Sequence, residues 1–122
     1  MARSGASKGE IRNDLTQRFG YDLDRTVDQI RADYQWDVSC QQSVPEAIIA
    51  FLDSSDIEQA IRLAVSLGGD ADTQAAIAGG IAEAFYKRVP ETIVSAVRER
   101  LPPGFIDVID SFRQAFPLEA KP

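Results

Sequence analysis

Asp70, Asp72 and Thr73 stand in the stretch LGGDADTQAAIAGGIAEAFY, Leu67 to Tyr86. Two carboxylates two residues apart, preceded by Gly68 and Gly69, can point the same way from a tight loop, because glycine takes positive φ without steric cost. Like charges held that close repel unless a proton or a cation sits between them. A hard divalent cation such as Mg²⁺ suits these oxygens, and the Thr73 hydroxyl offers a third. A structural reading stands beside the chemical one. Asp72 serves as the N-cap of the helix that follows, and Asp70 as a loop carboxylate favoured by the helix dipole. The further oxygens and the closing glutamate of an EF-hand are missing.

The segment after the aspartates is built from small residues: Ala75, Ala76, Ala78, Gly79, Gly80, Ala82 and Ala84. A glycine inside a helix costs about 1 kcal/mol relative to alanine. Such a helix is tolerable where neighbouring helices approach closely. It then forms a rigid mount with its N-terminal mouth at the carboxylates.

Other chemistry is scarce. The 122 residues contain no histidine, which removes the commonest general base and metal ligand. Cys40 is the single cysteine, so an intramolecular disulfide is impossible and a cytoplasmic setting is expected. With no base in sight, Cys40 reads as a small loop or core residue, not a nucleophile. The net charge of −6 lacks the basic footprint of a nucleic-acid binder and argues against docking on anionic lipid. No apolar run reaches membrane-spanning length.

The elements that must position these residues read as helices in one all-α domain spanning 1–122. Ser7 to Glu10 fits a capping box, followed by Ile11, Leu15 and Phe19 on one face and Gly20 as the stop. A short helix is expected from Asp24, with Val27 and Ile30 inward. Tyr34 to Cys40 reads as an extended loop. Ser43-Val44-Pro45-Glu46 reads as a second capping box, with proline in the first turn, ahead of a buried helix EAIIAFLD. Ser55 to Glu58 reads as a third, leading a helix with Ile57, Ile61, Ala64 and Val65 inward and Gly68 at its end. The small-residue helix should run from about Asp72 to Lys87. Pro90 opens a helix with Ile93, Val94 and Val97 inward. After Pro102-Pro103-Gly104 a last helix carries Phe105, Ile109, Phe112 and Phe116.

SLGGDADTQAAIAGGIAEAFY resembles the C-terminal metal motif of the ADP-ribosylglycohydrolases. Four further pieces stand in the family's order: ARSGASKGEIR, FGYDLDRTVDQIR, DVSCQQSVPEAIIAFLDSSDIEQAIRLAVSLGGD and RLPPGFIDVIDSF. The resemblance implies an orthogonal helical bundle and Mg²⁺-dependent hydrolysis of ADP-ribose glycosidic linkages. It implies two Mg²⁺ ions, or Mn²⁺, with Asp70, Asp72 and Thr73 as ligands. It also places Cys40, Gln41, Gln42 and Ser43 on a substrate-cleft loop, although a capping role accounts for Ser43 as well.

The resemblance is to the C-terminal half of enzymes roughly twice this length. The first half normally supplies an early G-D motif, a T-D-D-T motif and a catalytic carboxylate. This chain has neither motif, so no catalytic residue is assigned. Gln74 replaces an apolar residue of the family pattern, and Lys87 replaces a glycine. A complementary N-terminal half, or a homodimer, is the partner this implies. Without that cover, EAIIAFLD and the Ala/Gly helix should leave apolar area exposed, which predicts self-association through Ile48, Ile49 and Phe51. A non-catalytic helical interaction module that keeps the loop sequence is the alternative, and a truncated product or fragment is a third reading.

Overall fold

Residues 1–118 of the computed structural model are described here, and among them the secondary structure consists of seven helices. The fold is all-α, as the patterning predicts. The helices are α1 (Lys8–Phe19), α2 (Val27–Asp33), α3 (Cys40–Asp53), α4 (Ile57–Ser66), α5 (Ala71–Tyr86), α6 (Glu91–Arg100) and α7 (Pro103–Ala115). They fall into two compact units, Met1–Tyr86 and Lys87–Pro122.

The first unit is built on α3. Ala47, Ile49, Ala50 and Phe51 are fully buried, and Ile48 and Leu52 nearly so. Helices α4 and α5 pack against α3 and against each other. Their buried residues are small: Ala60 and Ala64 on α4, Ala78 and Ala82 on α5. Small side chains let helix axes come together. Gly79 faces Ile61, where a Cβ would lie 3.3 Å from Cγ1, whereas a Cβ on Gly80 would meet nothing within 4 Å. Only the first of the two glycines therefore serves the α4–α5 contact.

Helix α1 starts as expected, with a reciprocal Ser7–Glu10 capping box and left-handed Gly20 at its end. Its inward face is narrower than the Ile11, Leu15, Phe19 period predicts. Ile11 is buried, but Phe19 is exposed and stacks on Tyr21. A second anchor is polar. The Lys8 ammonium donates to the Leu52 and Ser54 carbonyls at the end of α3 and sits 5.3 Å from the Phe51 ring centroid. A cation there satisfies carbonyls that the helix end leaves free.

Several starts differ from expectation. Helix α2 begins at Val27, not Asp24, because Thr26 and Gln29 form the capping box. Asp53 at the end of α3 also accepts from the Val27 N–H at 2.7 Å, so two elements fix that start. Helix α3 begins at Cys40, not beyond Ser43. The Asp37 carboxylate accepts the Ser39 N–H at 2.6 Å, turning the chain early. Ser43 is therefore inside the helix and its hydroxyl donates to the Ser39 carbonyl at 2.7 Å. It is not a cap, and Pro45 lies in the helix body, where no N–H reaches back to Gln41. The α4 cap is Asp56, which accepts from the Gln59 N–H, one residue beyond the Ser55–Glu58 box. Val65, expected inward, is exposed.

In the second unit α6 and α7 form a helical pair joined by Leu101 and Pro102. Arg98 and Asp110 make a two-pronged ion pair at 2.7 and 2.9 Å. Val97, expected inward, is exposed, as are Phe105, Val108, Phe112 and Phe116. A two-helix pair has too little surface to bury both apolar faces within itself.

Candidate functional site

The carboxylate loop begins where α4 stops. Leu67 is the C-cap and Gly68 follows at φ 80°, the left-handed position that glycine fills best. Gly69 has a different reason to lack a side chain. A Cβ there would fall 1.8 Å from the Tyr34 hydroxyl and 2.6 Å from the ring carbon bearing it. The phenol therefore lies directly on the backbone of the loop. The Asp70 carbonyl accepts the Gln74 N–H at 2.9 Å, and α5 begins at Ala71. Asp72 thus sits in the first helical turn, two residues inside the N-cap position, which falls to Asp70 and not to Asp72 as spacing predicts.

The two carboxylates come together. A hydrogen bond from Asp70 is the main reason the Asp72 carboxyl is held below the usual carboxylate range, with the backbone N–H groups of Thr73 and Asp72 adding to it. The Thr73 N–H donates to Asp72 at 3.1 Å. Asp72 and Thr73 are exposed and Asp70 is half-buried. Two carboxylates held this close repel unless a proton or a cation sits between them. Their oxygens and the Thr73 hydroxyl are hard donors that fit Mg²⁺ or Mn²⁺. Among the described residues no three His, Cys, Asp or Glu side chains gather as a ligand set. The loop offers a pair, not a full shell.

A cleft of about 380 Å³ opens between α2, the segment 34–37 and the start of α3, and Tyr34, which touches Gly69 of the loop, is one of its walls. Arg25, Tyr34, Trp36, Asp37, Gln42 and Glu46 are among its walls. Of the four residues placed on a substrate-cleft loop, Gln42 lines it. Cys40 and Gln41 are exposed at the start of α3, and Ser43 is buried in the helix. Trp36 is 66% exposed, leaving its ring available to a ligand.

Spacing predicts Glu46 as the far end of a capping box. It is instead a carboxylate inside the protein. Burial raises its pKa, against the opposing pull of Arg25 and of the Gln74 amide. The Gln74 Nε2 donates to Glu46 at 3.3 Å. This accounts for Gln74 where an apolar residue was expected: it is fully buried and faces a buried carboxylate. Burial, then the Glu46 charge, pushes the Tyr34 hydroxyl up as well. Tyr34, Glu46 and Gln74 thus form one polar cluster between cleft and loop. The sequence carried a signal for it, since Glu46 opens an otherwise apolar run that extends to Asp53.

Lys87 stands at φ 57°, in the left-handed region. A glycine there would be relieved of the Cβ clash.

Among the described residues no helix is long and apolar enough to cross a membrane. No curated protein and no solved structure gives a significant match to the sequence. The family comparison does: ADP-ribosylglycohydrolase matches over residues 3–120, a span that includes the cleft and the carboxylate loop. The chain belongs to the ADP-ribosylglycohydrolase family.

Proposed function

We propose that this chain contributes the divalent-cation loop and one wall of the substrate cleft to the hydrolysis of ADP-ribose glycosidic linkages. A complementary N-terminal half, or a second copy, supplies the remaining ligands and the catalytic carboxylate. The observation that carries this reading is the Asp70–Asp72 pair, two neighbouring carboxylates at the mouth of α5 with Asp72 held below the usual carboxylate range. Membership of the family supports it. Asp70 and Asp72 would hold Mg²⁺ or Mn²⁺ with the Thr73 hydroxyl. The bound cation supplies polarisation of ribose oxygens and activation of water. The protein's own residues do the rest of the binding. Gly68 and Gly69 set the loop, Gln42 and Trp36 face the ligand, and Glu46 and Tyr34 close the inner end of the cleft.

The test is a Mg²⁺ and Mn²⁺ titration of the unfolding temperature, with Asp72→Asn alongside. A cation at 100 times its Kd stabilises by about 2.7 kcal/mol, a readily measured shift. A saturable rise that Asp72→Asn abolishes is expected. A flat response in the unaltered chain contradicts the cation reading. Release of ADP-ribose from a modified protein, assayed with and without an N-terminal half, then tests the reaction.

The alternative, a helical interaction module without catalysis, draws support from the exposed apolar side chains Phe105, Val108 and Phe112 on α7. It expects binding to a partner with no response to divalent cations.

A further inference from the structure

Tyr34 presents an imbalance that packing does not explain. Its ring lies on Gly69, and the hydroxyl is the atom nearest to where a Gly69 side chain would begin. That hydroxyl is buried without a completed hydrogen bond, and so is the Gln74 Oε1. The Gln74 side chain and the Asp37 backbone both lie close enough to bear on the phenol, but neither reaches its hydroxyl in hydrogen-bonding geometry, and the Gln74 amide nitrogen donates to Glu46 instead. A buried polar atom without a partner costs stability, and phenylalanine would fill the same space without that cost. Groups left unsatisfied in this way are expected where a bound state completes them.

The place of the hydroxyl decides which bound state. It lies against the Gly69 backbone, one residue before Asp70 in the carboxylate loop. We infer that Tyr34 is a positioning residue of the cation loop, its hydroxyl completed by water ordered around a divalent cation held at Asp70 and Asp72. The ring holds the Gly69 backbone in place, and the hydroxyl couples that hold to occupancy. Gln74, with its own unsatisfied oxygen in the same cluster, belongs to the same arrangement.

This inference rests on the cation reading proposed above, and the experiment separates the two. Mn²⁺ binding to the full chain is measured by calorimetry for the unaltered protein, Tyr34→Phe and Asp72→Asn, with unfolding temperatures of all three taken in EDTA. Tyr34→Phe is expected to unfold in EDTA at the same or a higher temperature, because an unsatisfied hydroxyl is removed. It is expected to bind Mn²⁺ about tenfold more weakly, the usual loss when an outer partner of a metal site is removed. Unchanged Mn²⁺ affinity in Tyr34→Phe, with binding intact in the unaltered chain, overturns the positioning role and leaves the cation loop standing. A lower unfolding temperature in EDTA also overturns it, because the hydroxyl then has a partner in the free protein. Absence of Mn²⁺ binding in the unaltered chain removes both proposals together.

Discussion

Glu46 is a carboxylate that the fold holds in a place better suited to a neutral group. Its folded pKa is raised, chiefly by burial, so the folded protein binds this proton more tightly than the unfolded chain does. The stabilisation is fully present below the unfolded carboxylate value and is lost as pH rises through the folded value. Glu46→Gln removes the charge and keeps an oxygen to face Gln74. It is expected to match the unaltered protein near pH 4 and to exceed it at pH 7 by about 1 kcal/mol, the scale of a typical substitution. Urea unfolding at the two pH values checks this. Equal stability at both would mean that the charge is compensated where it lies. Glu46 also shows a limit of local reading. The S-x-x-E spacing at Ser43 is a capping box by pattern, but Asp37 turns the chain at Ser39, four residues earlier, and the same glutamate faces inward.

Among the elements, α5 is where sequence and packing can be compared position by position. Composition alone treats Gly79 and Gly80 alike. The structure separates them, because Gly79 meets Ile61 on α4 and Gly80 meets nothing. Gly80→Ala should therefore raise stability by about 1 kcal/mol, the difference in helix propensity. Gly79→Ala places a methyl 3.3 Å from Ile61 and should lose that gain or destabilise. Thermal unfolding of the two variants side by side decides the assignment, and an equal rise in both would contradict it. Capping signals at Ser7 and Gly20 were legible because every atom they use lies within one turn. Those at Ser43 and Ser55 were displaced because a neighbouring side chain made the better bond, Asp37 in one case and Asp56 in the other.

At the scale of the whole molecule, the expected exposure falls on different residues. Ile48, Ile49 and Phe51 are already inside the first unit and cannot form an interface while it stays folded. The second unit carries exposed apolar side chains at helical spacing: Phe105, Val108, Phe112 and Phe116. Contiguous exposed apolar residues of this size mark surfaces that meet a partner. If the chain completes its site with a second copy, sedimentation at micromolar concentration should show self-association that Phe112→Asp weakens. A clean monomer for the unaltered chain would favour a separate N-terminal half.

The helical class, the stop at Gly20, the burial of EAIIAFLD, the pairing of two aspartates after two glycines and, through the ordered set of motifs, the family are all legible in the linear chain. All of these depend on short-range spacing or on the hydrophobic period, which a linear reading contains. The contact of Tyr34 with Gly69, the meeting of Gln74 with Glu46 and the cleft that Tyr34 and Glu46 line emerge on folding and not from local pattern. Those contacts join residues 28 to 35 positions apart. They exist because α3 and α5 bury their small and apolar faces on each other, and the polar groups carried along with those faces must then find each other or remain unsatisfied.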